Sequence, residues 1–220
     1  MMKSMKRRMT TREKILEAAK RSFYRNGYTA TTYAHLSQEM KTSPGSFSYY
    51  FSSKASMAGE IYVEILQKLR QIVDERMPEE AKERTLLKYA VISRLLVDVF
   101  HEDEKVFRFY YEFGKDDIEI ARNFNLMNVV FPDDEHLFYD EENDERALIS
   151  SAIKGHSWFT NTDFFNGKLN CSFEYFSDYH LRLNLLMMKV PSEIVERIIE
   201  YSRTLAEEIH LEIEPYFVFK

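Results

Sequence analysis

Apolar residues recur every three to four positions along most of this 220-residue chain, the period of a helix that buries one face. The first run opens at Thr10. Thr10 and Glu13 stand at capping-box spacing, which satisfies two orphan N–H groups reciprocally. Ile15, Leu16, Ala19 and Phe23 form the stripe behind them. Asn26-Gly27 predicts an αL-type stop, with Tyr28 folding back onto this small core. In the second run Tyr33, Leu36 and Met40 share a face, and Thr31 or Thr32 is the candidate cap. Lys41-Thr42-Ser43 predicts a tight turn. Ser43 then reads as an N-cap with Pro44 at the first helical position, where its missing N–H costs nothing. The spacing predicts about two helical turns, to Tyr50. Phe47 and Phe51 point inward, leaving Ser46, Ser48, Tyr49 and Tyr50 outside. A short helix with small and polar aromatic residues outside, held by a helix before it, has the geometry of a helix-turn-helix recognition helix. Ser53 caps a fourth helix, with Met57, Ile61 and Ile65 at the centre of its stripe and Met77-Pro78 as its stop.

The pattern stays helical beyond that point. Arg84 to His101 is apolar almost all round, which predicts burial. Glu104 to about Phe113 is rich in rings, and Gly114 reads as its end. Ile118 to Val130 is a helix closed by Pro132, and acidic Asp133 to Glu145 has no period and reads as a loop. Glu145–Thr160 is a strong helix, Asn161–Asn170 a connection and Ser172–Val190 a helix. Ser192 caps a last helix to about His210. The expected fold is all-α, with an N-terminal three-helix unit over residues 1–56 (a basic tail at 1–9) and a second helical unit over 57–220.

Charge divides at the same place. Net charge is −6, but residues 1–60 hold 11 Lys/Arg against 4 Asp/Glu and the rest 19 against 32. A basic head on an acidic body leaves one end able to approach phosphate. Lys54, in the first turn of the fourth helix, puts a cation beside free N–H groups, which suits a phosphate. Cys171 stands alone, so no disulfide framework or Cys-based zinc site follows, and an inert buried thiol is expected. No apolar run spans a membrane and no signal-peptide core precedes the head, so a cytoplasmic protein without a membrane partner is expected. There is no Gly-rich phosphate loop, no G-x-S-x-G and no H-E-x-x-H, and Asp133-Asp134-Glu135-His136 lacks ligand spacing. Neither an enzyme nor a bound metal or cofactor is expected.

Arg12-Glu13-Lys14-Ile15-Leu16-Glu17-Ala18-Ala19, Phe23, Asn26-Gly27-Tyr28, Ala30-Thr31-Thr32, Ser43, Gly45-Ser46-Phe47, Tyr50-Phe51 and Ser53-Lys54 together resemble the DNA-binding domain of TetR-family transcriptional regulators. Lys41 stands where the family usually has Gly in the turn, and Ser48 and His35 also depart from its pattern. The resemblance implies a double-stranded DNA operator contacted by Thr31, Thr32, Thr42, Ser43, Pro44, Gly45, Ser46, Ser48, Tyr49, Tyr50 and Lys54. It also implies a repressor whose body dimerises and binds a small molecule that releases the operator.

Outside the head lie 24 Phe, Tyr and Trp in 160 residues. Most are expected in the core, with a minority around Phe107, Tyr111, Phe124, His156 and Phe159 lining a pocket for an apolar or aromatic effector. Ala147, Ser151 and Gly155 form a small-residue stripe that allows close helix packing and is the candidate homodimer interface. A ligand-independent dimeric DNA-binding protein, or an enzyme on a helical scaffold, is the alternative.

Overall fold

In a computed structural model the chain is described at residues 9–78, 83–121, 126 and 145–220. The head is built from α1 (Thr11–Asn26), α2 (Tyr33–Met40) and α3 (Pro44–Tyr50). The Thr10–Glu13 capping box is formed, and α1 ends at Gly27, φ 88°. That glycine is required twice over: the left-handed backbone disfavours a side chain, and a Cβ would strike the Glu112 carboxylate. Lys41 takes the left-handed conformation at φ 51° between α2 and α3, an uncommon state for a non-glycine residue. Ser43 sits at the N-cap of α3 without a side-chain capping bond. Its hydroxyl instead lies 3.2 Å from that of Ser46.

The body contains α4 (Lys54–Arg76), α5 (Arg84–Glu102), α6 (Glu104–Asp116), α7 (Ile118–Ala121), α8 (Glu145–Phe165), α9 (Phe173–Met187) and α10 (Ser192–Ile209). Helix α5 runs through its middle, packed against α4 and α10, and from Tyr89 to Val97 every residue is buried, as its all-round apolar sequence requires. Arg94 is the charged exception, 5% exposed. It donates to Ser202 of α10 at 2.8 Å and to Asp178 of α9 at 2.6 Å, so one guanidinium ties three helices. Helix α4 carries the core from head to body: Met57, Ile61, Leu66 and Leu69 are fully buried, in one cluster that reaches from Ile15 of α1 to Phe219.

Several boundaries differ from the expectation. Helix α6 does not stop at Gly114 but runs a half-turn further to Asp116. Gly114 is there because the Trp158 indole rests on it, where a Cβ would overlap the ring nitrogen. Helix α8 continues past Thr160 to Phe165, because Asn161 and Thr162, read as loop residues, are buried in the packed body. Pro191, not Ser192, holds the N-cap of α10, and no side chain caps it. Cys171 is half-buried. The last residues form a small antiparallel hairpin, β1 (Ile213–Glu214) with β2 (Val218–Phe219), pairing Ile213 with Phe219. Its Tyr216 and Phe217 rings pack on Tyr24 of α1. Residues 1–8, Phe124 and Asp133–His136 lie outside the described residues.

Candidate nucleic-acid interface and internal cavity

Helix α3 is held by its buried side. Phe47 is fully buried and stacks on Tyr33 of α2 at 5.7 Å, and Phe51 is 4% exposed. The opposite face carries exposed Gly45 and Ser48, with Tyr49 81% exposed and its ring set edge-on to half-buried Tyr50. Ser46 turns back into the preceding turn, sharing hydroxyl contacts of 3.2 Å with Thr42 and Ser43. Thr32 caps α2 through a bond from the His35 N–H. Thr42, Ser43, Gly45, Ser46, Ser48, Tyr49 and Tyr50 therefore cluster around one short, outward helix.

Two of the expected contact residues face elsewhere. Thr31 is fully buried. Its hydroxyl donates to the Gly27 carbonyl at 2.8 Å and meets Ser22, so it braces the turn after α1. Lys54 turns inward: its ammonium donates to the Tyr28 carbonyl at 3.0 Å and lies 3.9 Å over the Tyr28 ring. Burial lowers its pKa, against the pull of Asp117, Asp116 and Glu112.

Those three carboxylates join head to body. Thr29 donates from its amide to Glu112 at 2.9 Å and from its hydroxyl to Asp116 at 2.5 Å, while the Tyr28 hydroxyl donates to Asp117. Burial first, and Asp117 second, push the Tyr28 phenol far above its usual range. The end of α6 thus grips the turn that precedes the helix-turn-helix.

On its other side the same segment walls a body cavity of about 480 Å³, within the range of small-molecule sites. Tyr62 of α4, Tyr89 of α5, Tyr110 and Phe113 of α6, and Trp158 and Phe159 of α8 contribute rings. Asn161 of α8 and His180 and Asn184 of α9 contribute polar groups. Of the ring and histidine residues expected there, Phe159 lines the cavity while remaining 61% exposed. Phe107 belongs to an aromatic cluster with Phe100 and Phe165, and Tyr111 stacks on Trp158 outside the lining. His156 lies behind the wall, its ring 5.1 Å from that of His180. Sequence periodicity could not single out Tyr62, Tyr110, His180 or Asn184, because each sits on a helical segment that reads as ordinary core, nor Asn161, which reads as the start of a connection. The polar Asn184 within a helical segment was the available signal.

Ala147 and Ser151 are exposed and Gly155 is half-buried with nothing within 4 Å of a built Cβ. Among the described residues no helix is long and apolar enough to cross a membrane.

Comparison with known proteins agrees with this head. A family profile described as bacterial regulatory proteins, tetR family, matches residues 15–61. The probable HTH-type transcriptional regulator ArpR of Pseudomonas putida is 30% identical over 92 residues, 42% of each chain, so the match spans less than half of that relative. The HTH-type transcriptional regulator QacR of Staphylococcus aureus is 26% identical over 173 residues, 73% of this chain and 92% of that one. The crystal structure of RolR without ligand shares the fold at a TM-score of 0.57 and 15% identity, covering 84% of this chain and 95% of that one. The head therefore carries the DNA-binding sequence of the TetR family, and with the helical body behind it the chain is similar to TetR-family transcriptional regulators.

Proposed function

We propose that the protein is a homodimeric repressor that binds a palindromic operator through α3 of each subunit and leaves it when a small apolar or aromatic molecule enters the body cavity. The observation that carries this reading is the place of Tyr62. It lines the cavity from the middle of α4, the helix whose first turn packs in the head. A molecule pressing on Tyr62 moves α4, and with it the recognition helix, changing the separation of two heads that must reach half-sites about one helical turn apart. Phe113 and Gly114 offer a second route, since they line the cavity just ahead of the carboxylates that grip Tyr28 and Thr29.

The outer face of α3 offers Ser48 and Tyr49 and no Arg, Asn or Gln able to pair two-pronged with a base. Base discrimination should therefore lie near the low end of roughly 1–3 kcal/mol per base pair, with Tyr49 against a thymine methyl or a sugar. The test is a gel shift with DNA flanking the gene, searched for a palindrome. The expected result is a specific complex that Tyr49→Ala weakens by about tenfold or more without loss of fold, as the ring is solvent-exposed. Equal affinity for unrelated DNA overturns the operator reading. A specific complex unchanged by any cavity-binding molecule favours a ligand-independent dimer.

A further inference from the structure

The polar fittings of the cavity say more than its size. Thr160 has one hydroxyl proton, donated to the His156 carbonyl at 2.7 Å. The 2.9 Å contact between Thr160 Oγ1 and His180 Nδ1 must then run the other way, with Nδ1–H donating. Burial keeps His180 uncharged, its pKa pushed down to about 3, so Nε2 presents a lone pair. Asn184 Nδ2 lies 3.4 Å from that nitrogen and donates to it. The relay therefore sets the orientation of the amide, with Nδ2 towards His180. Asn184 is 1% exposed, and its Oδ1, on the far side of the amide, has no partner. Asn161, 3% exposed, also has an unpartnered Oδ1. Both residues line the cavity.

Two buried acceptors without donors call for a ligand that brings donors. The described lining contains no carboxylate to balance a cation. The unpartnered amide oxygens disfavour an anion, and Lys154, the cation of the described lining, already has an interaction of its own. The remaining wall is mainly apolar, with the rings of Tyr62, Tyr89, Tyr110, Phe113, Trp158 and Phe159 beside aliphatic side chains and three serines, and the volume of about 480 Å³ is several times the roughly 150 Å³ that holds a benzene.

We propose that the effector is an uncharged hydroxylated aromatic, its ring between Tyr62, Tyr110 and Trp158 and its hydroxyl donating to Asn184 or Asn161. This rests on the reading of the cavity as the effector site. Trp158 is the sole tryptophan of the chain, so its fluorescence reports occupancy, with calorimetry on the same samples. Four probes separate the classes: naphthol, naphthalene, naphthoate and trimethylanilinium. Naphthol should bind about tenfold tighter than naphthalene, the effect of one added hydrogen bond, and the two ions should bind more weakly still. Asn184→Leu should erase the naphthol preference while leaving naphthalene binding and the circular dichroism spectrum intact. Equal binding of naphthol and naphthalene to the natural protein overturns the proposal, whatever the variant does, as does tighter binding of either ion or no binding by any probe. Naphthol that binds without loosening the operator complex overturns the effector reading and leaves the ligand class standing. Naphthalene or naphthoate that releases the operator as well as naphthol overturns the class and leaves the effector reading standing.

Discussion

Two titratable groups, buried His180 and half-buried Asp98, set opposite pH dependences within one body. His180 is held neutral by burial, with its pKa near 3. Below about pH 6.5 the unfolded chain takes up a proton that the native state refuses, so stability falls as pH drops, down to about pH 3. Asp98 is pushed the other way, up to about 6, mainly by burial, against the lowering fields of Arg94 and His101. Between about pH 4 and 6 the native carboxyl is protonated while the unfolded one is ionised, so this group stabilises the fold as pH falls. The two partly cancel in the natural protein. Asp98→Asn removes the compensating group, and the variant should lose about 2 kcal/mol between pH 7.5 and 5, more than the natural protein does. Urea unfolding midpoints at each pH measure the difference. A variant as acid-tolerant as its parent would show that Asp98 is not raised in the native state, and a variant that loses no stability over this range would show that His180 takes up its proton without cost.

Among the elements, α8 serves two surfaces at once. Leu148, Ser151, Ala152, Gly155 and Phe159 recur at i, i+3, i+4, i+7 and i+11, one stripe on a helix. Of these Leu148 and Phe159 are 69% and 61% exposed. Helix α9 packs beside α8 and exposes Tyr175, Tyr179 and Leu186. Two neighbouring helices with outward apolar faces pair naturally with the same two helices of a second copy. A bulky Ser151→Trp should split that pair: light scattering would fall from a dimer to the 26.3 kDa chain mass, and operator binding would be lost with the head still folded. A variant that stays dimeric and binds normally places the interface elsewhere. Ser151, Gly155 and Phe159 also line the cavity, so the partner would sit close to its wall.

At the scale of the whole molecule, head and body are not hinged by α4 alone. Arg108 donates to the Tyr24 carbonyl at 2.9 Å, Arg25 donates to the Tyr216 hydroxyl of the hairpin at 2.7 Å, and Tyr28 reaches Asp117. These contacts put the carboxylate end of α6 between the cavity and the head, the place a two-site coupling of the proposed kind requires. Tyr28→Phe removes one of them while keeping the ring that packs on Phe23 and Phe113. It should leave naphthol affinity within about twofold while shrinking the ligand's effect on operator affinity, by part of the typical 1–3 kcal/mol coupling. Parallel titrations with and without operator DNA would show it, and an undiminished effect would assign the coupling to α4. Phe217→Ala, which empties a contact with Tyr24 and Phe109, should cost about 3 kcal/mol in urea unfolding.

What the sequence determined by itself was local. The head's capping box, the stop at Gly27, the Lys41 turn and the two-turn α3 all rest on interactions within a few residues, so their residue types announce them. The buried stripes of α1, α4 and α5 were equally legible, because period and apolarity are properties of one segment. Tertiary structure decided the rest. Gly114 looked like a helix end and is a seat for Trp158, a residue 44 positions away. Asn161 looked like a loop residue and became a buried acceptor in a cavity wall. Lys54 looked free for phosphate and is held on Tyr28. The hairpin's place on α1, and the relay that orients Asn184, exist only once distant segments have met. The orientation of a buried polar group follows from the partners that burial brings to it, and no periodicity encodes those.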